Sequence, residues 1–192
     1  MEIINNIAML SIMLSGAALI REREHGTLEH LLVLPVSAIE IMLGKVWSMG
    51  LIVLIAVTFA LIFVVEGILG VPLSGSLPLF LAGTSLALFA TTSLGILMGT
   101  IARTMPQFGL IFIMTILPIM ILSGTMTPFE SMPQSLQYLM HLVPTSHFVS
   151  FAQAVLYRGA GFDIVWVDMV WIFLIGILFF LFALSIFKKS LN

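Results

Sequence analysis

From Val46 to Val65, from Leu77 to Ile101 and again from Phe108 to Leu122, the chain carries no Asp, Glu, Lys or Arg. About 20 predominantly apolar residues in a helix cross the hydrocarbon core of a bilayer, where every backbone N–H and C=O must find its partner inside the protein. Such stretches restrict the chain to membrane-spanning helices. Five segments qualify, roughly Ile3 to Ile20, Ile41 to Val65, Leu77 to Ile101, Phe108 to Leu122 and Ile164 to Phe187. The fourth is short for a straight span, so its helix is expected to begin before Phe108 or to continue past Leu122. Charged residues occupy 8% of the 192 positions, against about 25% in an ordinary soluble domain. The expected fold is therefore an all-α integral membrane protein, a single domain over residues 1–192.

Orientation follows from Lys and Arg, which concentrate in cytoplasmic loops. Placing Arg21 and Arg23 inside puts Lys45, Arg103, Lys188 and Lys189 on the same side and leaves Arg158 outside. The N-terminus is then external and the C-terminus cytoplasmic, with Trp166 and Trp171 in the outer interfacial belt. Ser37 and Glu40, just after Pro35, read as a capping box that starts the second span. The third span repeats small residues at four-residue steps, Gly83, Ala87, Thr91, Gly95 and Gly99. Such a row lets another helix approach closely and serves intramolecular packing or a dimer seam.

The charged run Arg21 to Pro35 lies between the first two spans. Leu28, Leu31 and Leu32 share one helical face while Glu22, Arg23, Glu29 and His30 project elsewhere, which describes a short amphipathic helix over about 22–34. Gly26 interrupts it with a bend or a close backbone approach. Periodicity alone leaves two readings open, a helix resting at the lipid interface or one docked on a protein. Interfacial helices favour Lys and Arg on the polar face, whereas this one has Glu22, Glu24 and Glu29 against Arg21 and Arg23, which suits a basic protein partner better than anionic lipid. After the fourth span, Pro128, Pro133 and Pro144 break a stretch too apolar for a free loop. Irregular backbone is tolerated at membrane depth only where protein or a water-filled cavity satisfies it. An external re-entrant segment over about 124–147 would fit.

Glu22-Arg23-Glu24-His25-Gly26-Thr27-Leu28-Glu29, followed by Pro35 and Gly44-Lys45, resembles the E-x-E-x-G-T-x-E signature of ABC type-2 permeases, the membrane subunits of bacterial ATP-driven exporters. The downstream LSGTMTPFESMP, then Pro144 and Tyr157-Arg158-Gly159, is similar to the same family's segment before its last helix, closest to the drug-exporter-like branch. The resemblance implies that the charged run is a coupling helix seated on a separate ATP-binding cassette subunit, with Glu22, Glu24, Gly26, Thr27 and Glu29 in contact with it. It also implies a re-entrant gate shaped by Ser123, Gly124, Pro128, Pro133 and Pro144. It implies further a homodimer or a heterodimer with another permease, in a bacterial inner membrane. Drug-exporter-like members carry six spans with a large external domain after the first. The match begins at their second span, so the first helix and that domain are expected to be missing from this sequence.

The residues leave little room for catalysis. No G-x-x-x-x-G-K-[ST] loop is present, so the chain binds no cofactor of its own by this reading, and ATP with Mg belongs to the partner subunit. His25, Glu29 and His30 are spaced one residue too widely for an H-x-x-E-H zinc site, and the two His sit about 140° apart on a helix, so no metal site is expected. Ser123 lacks a G-x-S-x-G context, and His141 and His147 show no matching carboxylate pattern. The absence of cysteine removes thiolate chemistry. A net charge of −2 gives no argument for nucleic acid. Ion-coupled carriers need charged groups in their spans, so three uncharged spans argue that energy arrives from outside the membrane. They also argue for an apolar path suited to hydrophobic or amphipathic cargo. The function expected is a permease subunit of an ATP-driven exporter, without enzymatic activity of its own. The alternative is a non-transporting membrane anchor or scaffold for a cytoplasmic partner.

Overall fold

The computed structural model of the protein describes residues 2–26, 37–68, 70, 75–122, 133, 134, 137 and 141–191, and for 2, 3 and 189–191 the backbone alone. These residues form helices and turns: α1 (Glu2–Glu24), α2 (Ala38–Phe59, continuing as a wider π-helical stretch over Ala60–Ile68), α3 (Leu77–Ile101), α4 (Met105–Leu122), α5 (Pro144–Arg158) and α6 (Phe162–Leu191). All but α5 are long and apolar enough to cross a membrane. The fourth span begins at Met105, which gives it the length that the uncharged stretch alone lacked.

Local chemistry accounts for the ends. Ser37 caps α2: its Oγ accepts from the Glu40 N–H at 3.4 Å, and its own N–H donates to Glu40 Oε2 at 2.7 Å. Those two bonds satisfy donors that a helix start leaves free. Pro144 opens α5 at a position where a missing N–H costs nothing. Gly159 closes it with φ 62°, and the Ala160 N–H turns back to the Ala154 carbonyl at 2.9 Å. A left-handed residue followed by this backward bond is a helix stop that glycine adopts without a Cβ penalty.

α3 lies at the centre, packed against α1, α2, α5 and α6. Its small residues serve that packing. A Cβ added at Gly95 would stand 2.9 Å from Ile12 Cα of α1 and within contact of Ser15 Oγ, and one at Gly99 would stand 2.8 Å from the Gly16 carbonyl oxygen. Gly83 holds the ring of Phe151 from α5 in the same way. Where the α1 and α3 backbones meet, Ser11 Oγ donates to Thr91 Oγ1 at 2.6 Å. α2 and α4 instead face outward with Trp47, Leu51, Ile55, Phe59, Leu110, Met114 and Leu117 exposed. Continuous apolar faces of this kind suit lipid or another protein and not water.

Two ends of the bundle can be told apart from its clusters. Leu19, Met42, Ile96 and Phe187 pack together at the end where α1 and α6 finish. Ile7, Phe80, Phe148, Phe151 and Val165 pack at the end where α1 and α6 begin.

Two expected boundaries are corrected. The helix expected from Glu22 does not start there: Glu22 to Glu24 are the last turn of α1, and the left-handed Gly26, at φ 70°, terminates it. Residues 27–36, the remainder of that segment, lie outside the described residues. The re-entrant segment was expected to end at 147, but Pro144 to His147 are the first turn of α5, which runs on to Arg158. Its core-facing Phe148, Phe151, Ala152 and Val155 are buried, and it is this burial that keeps the helix going.

Candidate functional site at the charged end of the first helix

Consecutive residues on a helix are turned about 100° from one another, so adjacent side chains reach different neighbours. The last turn of α1 uses this. Glu22 Oε2 forms an ion pair with Lys45 Nζ of α2. Arg23 Nη1 donates to the Ala102 carbonyl at 2.9 Å and reaches the Thr100 carbonyl at 3.5 Å, both at the end of α3. Glu24 Oε1 accepts from the Met105 N–H at 3.1 Å, at the start of α4.

Each bond places a charge where the backbone needs its sign. The last carbonyls of α3 have no partner inside the helix, and a guanidinium beside them meets the negative end of its dipole. The first N–H groups of α4 are free donors at a positive end, and a carboxylate from α1 does there what a capping residue does. Thr104 Oγ1, which accepts from the Gln107 N–H at 3.4 Å, and Gln107 Oε1, which accepts from the Arg103 N–H at 2.9 Å, complete that α4 start. The chain leaves α1 through a tight end: the His25 N–H donates to the Arg21 carbonyl at 3.0 Å and the Gly26 N–H to the Arg23 carbonyl at 3.2 Å. Nothing lies within 4 Å of a Cβ built on Gly26, so the demand for glycine there comes from its positive φ and not from crowding.

Of the residues expected to contact an ATP-binding subunit, Glu22 and Glu24 bond to α2 and α4 within the chain. Gly26 is the exit from α1, and Thr27 and Glu29 lie outside the described residues. Of those expected in the external gate, Ser123, Gly124 and Pro128 lie outside them as well. Pro133 is exposed, its carbonyl accepting from the Gln137 N–H at 3.2 Å, and Pro144 is buried in the first turn of α5. Gly95 and Gly99 lie in the α1–α3 crossing.

The structure adds polar links that periodicity did not reveal. In the sequence, Lys45 and Arg23 serve as markers of orientation, as part of a polar face and as positions in the family-like motif, and not as partners of other helices. At the other end, the His147 ring is bonded to Asp168. The signal for that pair was present: Asp168 interrupts an apolar span, with Trp171 one turn further along. Between α2, α3 and α6, Leu43, Trp47, Leu51, Leu54, Leu86 and Phe89 line an open apolar groove of about 300 Å³.

Residues 1–157 match the model of the ABC-2 type transporter family. The chain belongs to that family. Among curated relatives, this ABC-2 chain is 59% identical over all 192 residues to the inner membrane transport permease YhhJ of Escherichia coli K12, of which it covers 51%. It is 32% identical over 169 residues to the multidrug ABC transporter permease YbhR of the same organism, named as probable, which covers 86% of this chain and 45% of that protein. It is 25% identical over 185 residues to ABC transporter G family member 20 of Dictyostelium discoideum. The chain thus spans about half the length of the curated relatives YhhJ and YbhR.

Proposed function

We propose that this chain is the membrane-spanning part of a permease subunit in an ATP-driven exporter, and that the segment leaving α1 at Gly26 receives force from a separate ATP-binding subunit. One observation carries the reading: the last turn of α1 is bonded to three other helices at once. A push delivered just beyond Gly26 reaches α2 through Lys45, α3 through Arg23 and α4 through Glu24. The names of YhhJ and YbhR, both permeases, support it.

In this reading ATP and Mg are bound and used by the partner, and the chain works in a homodimer or beside another permease in a bacterial inner membrane. The charged end faces the cytoplasm and the N-terminus the outside, following Arg21, Arg23, Lys45, Arg103 and Lys188. Cargo is hydrophobic or amphipathic, in keeping with uncharged spans and an apolar groove. A ligand shifts a conformational equilibrium only by its differential affinity, so the segment after Gly26 must fit the open and closed ATPase differently.

The test uses the natural absence of cysteine. A single cysteine at Thr27 is treated in native membranes with a thiol-to-amine crosslinker. Recovery of an ATP-binding subunit, with a yield that changes when nucleotide is added, is expected. Attachment only to lipid or to unrelated soluble proteins would refute the exporter reading and favour an anchor or scaffold.

A further inference from the structure

His147, on the buried side of α5, has both ring nitrogens committed. Nδ1 is 3.0 Å from Asp168 Oδ1 on α6, and Nε2 is 3.0 Å from the backbone carbonyl oxygen of His141. A carbonyl oxygen only accepts, and an ionised carboxylate only accepts. A neutral imidazole has one N–H and can serve one of the two, whereas an imidazolium serves both. Two neighbours favour the cation. The second carboxylate oxygen of Asp168 accepts from Ser150 Oγ at 3.1 Å, a bond that favours the ionised carboxylate. The indole of Trp171 lies nearly parallel to the imidazole in an offset stack, ring centres 5.9 Å apart and planes 10° apart, within range of a cation–π attraction.

We propose that His147 is a proton-binding latch: as an imidazolium it ties the turn at His141 and helix α5 to Asp168 and Trp171 of α6, and loss of one ring proton opens one of the two ties. The groups that could compete are few. α3 carries no ionisable residue, and α1 carries Glu2 at its start, on the latch's end of the bundle, and Arg21 to Glu24 in its last turn, at the far end. On α5 they are His147, Tyr157 and Arg158, on α6 near the latch Asp163 and Asp168, and in the preceding turn His141. Of these, Asp168 and His141 are the ones whose contacts bring them against the His147 ring; the His141 ring centre is 5.8 Å away. An imidazole gains or loses its second ring proton with no other group reacting, so proton exchange alone can work the latch. The consequence for transport rests on the permease reading; the latch itself does not.

Two measurements on the full chain in detergent test it without transport. Nitrogen-15 imidazole spectra should show a His147 signal with both nitrogens protonated at pH 5.5, changing to a neutral tautomer as the pH rises. A neutral ring at pH 5.5 would overturn the proposal. In a variant whose only tryptophan is Trp171, emission should change with pH, because the imidazolium stacked on the indole quenches it. His147→Gln should abolish the change while His141→Gln, which leaves the carbonyl in place, keeps it. A pH response that survives His147→Gln, or that is lost in His141→Gln, would overturn it as well. Should His147→Gln fail to fold, the wild-type spectra decide.

Discussion

Replacing Gly95 with alanine tests the packing on which the proposed force transfer through α1 depends. The added methyl group would sit 2.9 Å from Ile12 Cα and within contact of the Ile12 carbonyl and Ser15 Oγ, where ordinary van der Waals contact begins near 3.4 Å. Ser15 Oγ cannot swing away freely, because it donates to the Ser11 carbonyl at 2.7 Å. The backbone atoms of α1 cannot rotate aside at all, so α1 must back away from α3. Overpacking of this sort costs about 1–3 kcal/mol. The retreat also stretches the Ser11–Thr91 bond, worth about 0.6 kcal/mol between membrane helices. Alanine's better helix propensity returns roughly 0.5–1 kcal/mol. The balance is a loss of about 0.5–3 kcal/mol, and at about 2–4 °C per kcal/mol for a chain of this size the melting temperature in detergent falls by roughly 1–12 °C. Gly109→Ala is the control: no atom lies within 4 Å of its Cβ, so only the propensity gain remains and the melting temperature holds or rises slightly. A Gly95→Ala protein melting with the parent would refute the claim that this glycine sets the α1–α3 distance.

Lys45→Glu leaves Glu22 facing a like charge in a pair whose side chains are 13% and 34% exposed; a loss of about 1–2 kcal/mol is expected, and the swap Glu22→Lys with Lys45→Glu should recover most of it in the same melting assay. Arg23→Ala removes a charge-assisted bond and a favourable dipole contact at the end of α3, together about 1–2 kcal/mol after allowance for partial exposure. In the proposed exporter it should lower cargo movement per ATP hydrolysed, while Arg23→Lys, which restores the charge, should recover part of the loss. Gly26→Pro forces a φ near −65° where the chain has 70° and deletes the N–H that bonds the Arg23 carbonyl. Export should stop while ATP hydrolysis continues and the bundle stays folded, with Glu24→Lys, which sets a cation at the start of α4, acting in the same direction more mildly. Unchanged export in both would count against the proposed lever.

Fold class was legible because a bilayer allows few solutions: uncharged stretches of spanning length have to become helices. The capping pair Ser37 and Glu40 was legible because its chemistry is local. The end of α1 was harder to place. Leucines and charges at helical spacing run on past Gly26, so periodicity predicts one helix from Glu22 interrupted at Gly26, while the left-handed φ there makes Glu22 to Glu24 part of the helix before it. The roles of Arg23, Lys45 and Glu24 depend on residues 20 to 80 positions away, and no local pattern carries such information. For His147 and Asp168 the sequence carries only the sign that Asp168 interrupts an apolar span; the pairing itself joins residues 21 positions apart on two helices. The fate of Gly95 and Gly99 was open in the sequence because small residues serve any close neighbour; Ile12, Ser15 and Gly16 show that the neighbour is α1.

The helices differ in how firmly they are held, and this decides how a push at Gly26 would be divided. α3 is locked to α1 through the glycine crossing and to α6 through Gly176, where a Cβ would stand 2.8 Å from the Phe89 ring. These three must move nearly as one body, because packed interiors do not yield by fractions of an ångström without cost. α4 is different. It touches chiefly α1, with Phe108, Phe112, Ile116 and Ile119 buried along one face and Leu110, Ile113, Met114, Leu117 and Ile121 exposed. Its end bond is at its first residue, where Glu24 holds the Met105 N–H. A helix held by one apolar stripe and one end bond has less to break than α3, so a displacement of Glu24 is passed to it more readily than to the packed core. In the proposed exporter the core formed by α1, α3 and α6 is therefore the support, and α4 is the element that moves.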